Sequence, residues 1–414
     1  MTHTEASRRT DRLLDIAREL LAVDTRNPPG DTRQLADWIE TLFRDLDIAV
    51  ERVTTDPAKP NLVATIPGRS DRTLLFVGHM DTVPFDADAW SYDPLGERDG
   101  DRLYGRGATD MKGPLAAILY TAERFAAADR EPPVTLAVAV VSDEETGGEA
   151  GVEALVADGA LDEIDPDGCV IGETTSTGGR HSVTVADRGS IWLTLDAEGT
   201  AAHGSRPMAG DNAVDRLWAA VSMLRERLPD RAFSLDDEVA AIVAESVDYY
   251  APTLGRAAAR DLFERPTVNL GRIEGGDAVN TVPGSARAEL DIRATAGVDT
   301  AGLLAAVREW LADYPAVSIA DVSRSVGSYE PIDGPLVEAV TDAASEAVEG
   351  RLYRRSATGG GDAKTFRHAG IPTVEFAVGT DTAHAVDEYT TVEALRRTAA
   401  VYERLPAIFG EHEP

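Results

Sequence analysis

Residues 136–148 read LAVAVVSDEETGG, an apolar run that ends abruptly in three carboxylates, Asp143, Glu144 and Glu145. The alanine- and valine-rich part is typical of a strand that is buried on both faces. A run of three acids carries little information in a chain with 72 acidic residues, and residues 236–238 form a second one. The position is more informative, because open α/β sheets bind their ligands at the ends of strands. Clustered carboxylates at such an end indicate a bound cation.

Strand and helix patterns alternate on both sides of this run. Strands are predicted at residues 61–67 (NLVATIP), 73–81 (TLLFVGHMD) and 169–173 (CVIGE), and helices at 11–23, 33–46, 113–128 and near 149–157. Such alternation predicts the α/β fold class, with a largely parallel sheet and helices on both of its faces.

The pattern changes at about residue 186. Over residues 186–327 the patterns follow the order strand, helix, strand, strand, helix, strand, which is that of a ferredoxin-like fold. Residues 230–264 interrupt this order, and the pattern assigns them no role. We therefore expect one larger domain, formed by residues 1–185 and 328–414, with a smaller domain inserted into it.

Charge excludes two classes of partner. The formal net charge is −32, so the chain would be repelled by nucleic acid and by an anionic membrane, and no basic patch offsets this. Lysine occurs only as Lys59, Lys112 and Lys364 among 40 basic residues. An acidic, lysine-poor surface indicates adaptation to concentrated salt, which limits electrostatic repulsion to ~3 Å at molar strength.

We therefore predict a halophilic protein that unfolds when salt is removed, because unscreened repulsion then opposes the compact state. Thermal unfolding followed by circular dichroism in dilute buffer and in molar salt measures this effect. Full stability in dilute buffer would contradict the prediction.

The cysteine content and the N-terminal sequence bear on the compartment. The single cysteine, Cys169, excludes an internal disulfide and fits a reducing environment. Residues 1–21 contain no apolar stretch of signal-peptide length, and no apolar run in the sequence is long enough to span a membrane. We expect a soluble cytoplasmic protein.

Histidine and carboxylate residues recur at strand ends and adjoining loops of the larger domain. They are His79 and Asp81 in GHMDTVP, Asp110 in GRGATDMKG, Glu144 and Glu145 in SDEETGG, Glu173 in CVIGETTS and His384 in AHAVDEY. Each alone fits an ordinary surface or core role, but the chain has only seven histidines and two of them fall in these loops. Imidazole and carboxylate ligands together suit zinc, and five ligand groups with one shared carboxylate suit two ions.

With these motifs the chain resembles the cocatalytic dizinc amidohydrolases and exopeptidases, which include succinyl-diaminopimelate desuccinylase, acetylornithine deacetylase, aminoacylase and carboxypeptidase G. The resemblance covers nearly the whole length, because GHMDTVP, GRGATDMKG, SDEETGG, AHGSRP and AHAVDEY follow in the family's order. It implies a zinc-exopeptidase-like catalytic domain with a mostly parallel sheet flanked by helices. The inserted ferredoxin-like α+β domain would act as a lid and mediate dimerisation.

The resemblance also implies the metal ligands. Asp110 would bridge two Zn²⁺ ions. His79 and Glu173 would complete one site, and Glu145 and His384 the other. Co²⁺ or Mn²⁺ could replace zinc, because such nitrogen and oxygen ligands select poorly among these metals.

Two further residues of these motifs would act on the reaction or on a ligand. Glu144 would be the general base, and Asp81 would orient His79 through its other ring nitrogen. Successive side chains of an extended segment point apart, so Glu145 could bind metal while Glu144 faces the attacking water.

Residues of the smaller domain would complete the site. His203 in AHGSRP matches a histidine that reaches into the partner subunit's active site and stabilises an oxyanion, although a loop residue packed on its neighbours is the alternative. Asn280 and Arg293 match residues that hold the substrate's free carboxylate, a task that suits the bidentate guanidinium. A surface salt bridge is the alternative for Arg293. Gly360 lies in a glycine run that matches a loop approached closely by substrate.

The motifs predict a hydrolase that cleaves the amide bond of an N-acyl amino acid, of the acetylornithine deacetylase or succinyl-diaminopimelate desuccinylase type. A di- or tripeptide exopeptidase or a carboxypeptidase with the same metals is the enzymatic alternative. A catalytically silent metal-binding homologue is the non-enzymatic one, and the presence of Glu144 argues against it. The expected partners are a small N-acyl amino acid or short peptide and a second copy of the chain. Thr174 stands where the family more often has proline, which affects the loop and not the ligand.

Overall fold

The structure is a computed structural model that describes residues 3–128, 130–176 and 179–412. The chain divides into two compact units. Unit 1 takes its residues from Met1–Val185, Glu330–Arg354 and Gly361–Pro414, and unit 2 from Ala186–Tyr329 and Arg355–Gly360.

The helices and strands are numbered in chain order. The helices are α1 (His3–Leu21), α2 (Arg33–Asp45), α3 (Lys112–Ala126), α4 (Val152–Ala157), α5 (Ala213–Arg227), α6 (Asp237–Leu254), α7 (Arg256–Glu264), α8 (Thr300–Leu311), α9 (Pro335–Ser345), α10 (Asp362–His368) and α11 (Val392–Glu411). The strands are β1 (Ala49–Val53), β2 (Asn61–Ile66), β3 (Thr73–His79), β4 (Glu97–Asp99), β5 (Arg102–Tyr104), β6 (Thr135–Val141), β7 (Gly168–Ile171), β8 (His181–Ala186), β9 (Gly189–Glu198), β10 (Ala202–His203), β11 (Thr267–Gly275), β12 (Thr281–Val282), β13 (Ser285–Ala294), β14 (Val317–Ser325), β15 (Leu352–Ser356), β16 (Thr373–Glu375) and β17 (Tyr389–Thr391). In the described part of the chain, no helix has both the length and the apolar character needed to cross a bilayer.

Unit 1 is built on an eight-stranded sheet in the order β1-β2-β6-β3-β7-β16-β8-β15. The four central strands, β6, β3, β7 and β16, are parallel to one another, whereas β1, β2 and β8 pair antiparallel with their neighbours. Helices flank this sheet, so the predicted α/β fold class is confirmed.

Burial of the central strands explains their apolar sequences. Every residue of β3 is buried, and alternate side chains face opposite layers of helices. Leu75 and Val77 pack in one cluster with residues of α4 and α10. Phe76 faces the other way, where its ring centroid lies 5.1 Å from that of Tyr402 on α11.

The strand register places the candidate site. His79, the last residue of β3, pairs with Val141, the last residue of β6. Val77 pairs with Ile171, the last residue of β7. The segments that follow these three strands therefore emerge at the same edge of the sheet, and these segments carry Asp81, the acidic run and Glu173.

Unit 2 contains a four-stranded antiparallel sheet in the order β11-β13-β9-β14. With α5 and α8 the elements follow the predicted order of strand, helix, strand, strand, helix, strand. Leu193, Leu195, Leu290 and Ile292 of the sheet pack against the apolar faces of the two helices. The other side chains of β9 are more exposed, which explains the alternating sequence GSIWLTLDAEG.

The segment at residues 230–264, to which the sequence assigned no role, forms the helical pair α6 and α7. Val239, Val243 and Val247 of α6 pack with Phe263 of α7 in a cluster of their own. Their spacing of four residues is a helical signal that could have been recognised in the sequence. The second acidic run, residues 236–238, opens α6: Asp236 caps the helix by accepting a hydrogen bond of 2.8 Å from the N–H of Val239.

Candidate metal centre

The five predicted metal ligands lie together in unit 1, on segments far apart in the sequence. Asp110 lies just before α3, and His384 lies in the loop between β16 and β17. His79, Glu145 and Glu173 lie at or after the ends of β3, β6 and β7. The parallel arrangement of the central strands brings these segments to one edge of the sheet.

Asp110 stands between two histidines. Its Oδ1 lies 3.3 Å from Nε2 of His79, and its Oδ2 lies 3.1 Å from Nε2 of His384. Oε1 of Glu173 lies 3.4 Å from Nε2 of His79, and Oε2 of Glu145 lies 3.3 Å from Nε2 of His384. The five side chains thus form two triads that share the carboxylate of Asp110, with one of its oxygens in each.

The hydrogen bonding of His79 requires positive charge in the first triad. Its Nδ1 lies 2.9 Å from the main-chain oxygen of Asp81, which can only accept, so Nδ1 carries the proton of a neutral ring. The lone pair of Nε2 then faces two carboxylate oxygens. Burial alone would lower the pKa of His79, but Asp110 and Glu173 outweigh it and raise the pKa well above its usual range. The same field favours a divalent cation, for which Nε2 is a suitable ligand atom.

The distances fit two metal ions. In a tetrahedral site with metal–ligand bonds of about 2.1 Å, neighbouring ligand atoms are about 3.4 Å apart. The nitrogen–oxygen distances of the two triads run from 3.1 to 3.4 Å. Ligand atoms of His79, Asp110 and Glu145 also lie within 4.8 Å of one another, which spans both triads.

Charge in the second triad follows the same pattern. Hydrogen bonds to Asp110 and Glu145 raise the pKa of His384 to about 10. Burial would raise the pKa of Asp110, but the two histidines lower it overall. In the first triad, burial and the nearby Asp110 raise the pKa of Glu173. Half-buried carboxylates so close together are groups that a cation stabilises in their ionised form.

Glu144 and Glu145 lie in a 3₁₀ turn, Glu144–Thr146, so the expectation of an extended segment was wrong. The chain turns directly after β6 because Asp143 adopts the left-handed conformation, with a φ of 72°. The two side chains still diverge. Glu145 accepts a hydrogen bond of 3.2 Å from the N–H of Val83 through Oε1 while its Oε2 faces His384.

Glu144 faces a glycine. A Cβ placed on Gly361 would lie 3.2 Å from Oε1 of Glu144, so only glycine leaves this carboxylate ample space. Burial, with the nearby carboxylates of Asp362, Glu173 and Glu145, raises the pKa of Glu144 well above its usual range, against the opposing effect of His79. Glu144 is therefore a half-buried carboxylate near the triads that takes no part in either.

Asp81 contacts His79 through its main chain, whereas the sequence predicts a contact through its side chain. The group that holds Nδ1 of His79 is the main-chain carbonyl of Asp81, and its nearest carboxylate oxygen lies 3.6 Å from that nitrogen. The carboxylate instead accepts the N–H groups of Glu144 and Glu145, at 3.2 and 3.1 Å. Asp81 thus links the orientation of the histidine to that of the acidic turn.

Sequence reasoning missed a buried ion pair beneath the site. Glu388 accepts hydrogen bonds from the N–H groups of Thr109 and Asp110, at 3.0 and 3.1 Å, and from Nη1 of Arg106 at 2.6 Å. Nη2 of Arg106 donates to the main-chain oxygen of His384 at 3.3 Å. The pair therefore ties the loop of Asp110 to that of His384. Both residues belong to the quoted motifs GRGATDMKG and AHAVDEY, which was the signal available.

The remaining candidates, His203, Asn280, Arg293 and Gly360, belong to unit 2. Nδ1 of His203 lies 2.7 Å from Oγ of Ser205 and accepts the N–H of the same residue at 3.2 Å. The proton of the neutral ring therefore sits on Nε2, which leaves His203 an exposed hydrogen-bond donor.

Arg293 has side-chain hydrogen-bond donors that are available for a ligand. Its Nε donates to Asp291 at 2.7 Å, and no other described residue forms a hydrogen bond with its two terminal nitrogens. These two nitrogens are the parallel donors that a carboxylate ligand requires. Asn280 is exposed, and its main-chain oxygen accepts the N–H of Gly204 at 2.6 Å. Gly360 is also exposed.

Comparison with known sequences identifies a family that matches most of the chain. Residues 75–407 match the model of peptidase family M20/M25/M40. A succinyl-diaminopimelate desuccinylase of Parvibaculum lavamentivorans is 33% identical over 405 residues, which cover 94% of this chain and 93% of that protein. An acetylornithine deacetylase of Vibrio campbellii is 29% identical over 384 residues, covering 90% and 89% of the two chains.

Solved structures share the fold. An M20 family metallo-carboxypeptidase from Sulfolobus solfataricus superposes with a TM-score of 0.81 at 20% identity, covering 96% of this chain and 99% of that one. A dinuclear metal binding peptidase of the M20 family from Bacillus subtilis has a TM-score of 0.66 at 15% identity, covering 98% and 100%.

Proposed function

The chain belongs to peptidase family M20/M25/M40 and is a metallohydrolase, and from this premise we propose that it uses two zinc ions to hydrolyse the amide bond of an N-acyl amino acid. The observation that carries the proposal is the position of Asp110, whose two oxygens face two different histidines. A carboxylate that bridges two ions needs this arrangement.

Each triad would hold one ion. His79 and Glu173 would bind the first, Glu145 and His384 the second, and Asp110 both. Zinc suits the mixture of imidazole and carboxylate, with Co²⁺ or Mn²⁺ as substitutes. When bound, the ions would polarise the scissile carbonyl and lower the pKa of water toward ~7.

Glu144 would transfer a proton from the attacking water to the leaving amine. Its carboxylate lies beside both triads, and as general base it would accept a proton from the water that attacks the carbonyl carbon. The same oxygen would then give this proton to the amine as the carbon–nitrogen bond breaks. The products are the free carboxylate of the acyl group and the free amino acid. In unit 2, the two terminal nitrogens of Arg293 would hold the carboxylate of the substrate, with Asn280 as a second contact and Gly360 allowing close approach.

A panel assay tests the reaction class. Purified protein supplied with zinc would be offered N-acetylornithine, N-succinyl-diaminopimelate, other N-acyl amino acids and dipeptides. We expect the largest kcat/KM for an N-acyl amino acid, since desuccinylase and deacetylase are the names of the sequence relatives given above. A preference for dipeptides would indicate an exopeptidase instead of a deacylase. Inactivity on the whole panel would refute the proposal.

His203 is expected to serve the active site of a second subunit. His203→Ala should lower kcat by ~10²- to 10³-fold if its Nε2–H stabilises an oxyanion. The metal content should not change, because all five proposed ligands lie in unit 1. Steady-state kinetics and metal analysis of the same preparation check both points.

Mixed subunits provide the control for this prediction. In a heterodimer of His203→Ala and Glu144→Ala chains, one site would carry both changes and the other neither. Activity should therefore partly return when two inactive proteins exchange subunits. An inactive mixture with demonstrated heterodimers would show that His203 acts within its own chain or not at all.

A further inference from the structure

The three lysines of the chain each lie near an acidic residue around the candidate site. Lys112 follows Asp110 by two positions, and its Nζ donates to the main-chain oxygen of Val23 at 2.7 Å. Lys364 follows Asp362 by two positions. Lys59 pairs with Asp143, the residue directly before Glu144. Although almost every other basic residue of the chain is arginine, the residue that pairs with Asp143 is a lysine.

Asp143 and Asp81 are joined by one amide. Nδ2 of Asn27 donates to Asp81 at 2.9 Å and to Asp143 at 3.0 Å. The side chains of these three residues are buried. Lys59 lies on the outer side of the group, where its Nζ contacts Asp143 and lies 3.5 Å from Oδ1 of Asn27.

These four side chains control the backbone of the acidic turn. Asp143 is held in a left-handed conformation, with its carboxylate also accepting the N–H of Ala150 at 3.0 Å. Asp81 accepts the N–H groups of Glu144 and Glu145. The start of the turn is thus fixed through side chains that contribute no atom to the two triads.

The space around Lys59 accounts for lysine at this position. A Cβ on Gly30 would lie 2.8 Å from Cε of Lys59 and 2.7 Å from Oδ1 of Asn27, and Gly30 has a φ of 75°. Only glycine fits at position 30, and it leaves room for the unbranched side chain of Lys59 with its compact ammonium group. A planar guanidinium is wider and carries its donors in a fixed fork, so arginine would not reach Asp143 in the same way.

We propose that Asn27 and Lys59 are positioning residues that hold Asp81 and Asp143 and thereby aim the carboxylate of Glu144. This inference rests on the proposed function of Glu144 as the general base. It assigns a role to Lys59 and to residues 27–30 (NPPG), which contain Asn27 and Gly30. Neither Lys59 nor this segment belongs to the motifs of the metal centre.

Lys59→Arg, which keeps the charge, and Asn27→Ala test the proposal. We expect each to lower kcat by about 10- to 100-fold while KM changes little, because neither side chain touches substrate. Metal content should stay at two ions per chain. Hydrogen exchange of the amides of Glu144 and Glu145, measured on the metal-free proteins by mass spectrometry, should be faster than in the wild type.

Asp167→Ala is the matched control. Asp167 accepts the N–H of Thr73 at 2.7 Å at the opposite end of β3, so its loss removes a similar hydrogen bond far from the acidic turn. This variant should keep the wild-type kcat even where its unfolding temperature falls. Unchanged kcat in Asn27→Ala, or an equal fall in Asp167→Ala, would overturn the proposal. The exchange measurement requires no turnover, so it supports or overturns the positioning of the turn even if the panel assay refutes the proposed function.

Discussion

Glu144→Gln is expected to lower kcat by ~10²- to 10⁴-fold, the range for loss of a well-placed general base. Glutamine keeps the shape of the side chain beside Gly361 but cannot accept a proton from water. Both ions should remain bound, because Glu144 belongs to neither triad. Kinetics with the preferred substrate of the panel, combined with metal analysis of the same sample, measure the two quantities.

Glu145→Ala is the neighbouring control, and its defect should be of another kind. Loss of Oε2 removes one of the groups that face His384, so the metal content of the chain should fall. Excess metal in the assay should then restore part of the activity of Glu145→Ala and none of that of Glu144→Gln. Exchanged phenotypes would show that the roles of the two adjacent glutamates are reversed.

Removal of the metal ions is expected to abolish hydrolysis, with a loss of more than about 10³-fold, because Lewis-acid stabilisation contributes several kcal/mol to the transition state. The unfolding temperature should also fall, since a ligand that binds only the folded protein stabilises it. The closely spaced carboxylates of the two triads would then lose the cations that stabilise their charge.

Dialysis against a chelator, followed by titration with Zn²⁺, measures both effects. Activity should return as the second ion per chain is added, and calorimetry should report the parallel rise in unfolding temperature. Full turnover of a demetallated sample would contradict the two-metal proposal. Recovery complete at one ion per chain would show that Asp110 does not act as a bridge.

The general location of the site was predictable because it depends on strands. Apolar runs such as TLLFVGH and LAVAVV give strong signals, and parallel neighbours deliver the residues after them to one edge of a sheet. The position of His79 and Glu145 at the same edge of the sheet therefore follows from the sequence alone. Asp110 and His384 were candidates through their residue types and their loop positions, and the motif resemblance implied their roles as ligands.

What escaped prediction depends on backbone conformation and on buried polar contacts. Nothing in the sequence DEET indicates that Asp143 takes a left-handed conformation, so the sequence alone predicts an extended segment there. The sequence also does not indicate that the carbonyl of Asp81 contacts His79 while its carboxylate accepts hydrogen bonds from the acidic turn. Such choices follow from which hydrogen bonds a folded chain can satisfy, and periodicity carries no information about them.

The sharing of Asp110 between two histidines has a consequence for how the protein is made. His79 leaves the ribosome some 300 residues before His384, and residues 186–329 of unit 2 are synthesised in the interval. A nascent chain can thus assemble only the first triad, with its strands β3, β6 and β7, while the second histidine is still missing. Closing so long a loop is slow and occurs late in folding. Completion of the second triad therefore has to wait for the synthesis of His384, and a chain truncated before this residue would carry half of the centre at most.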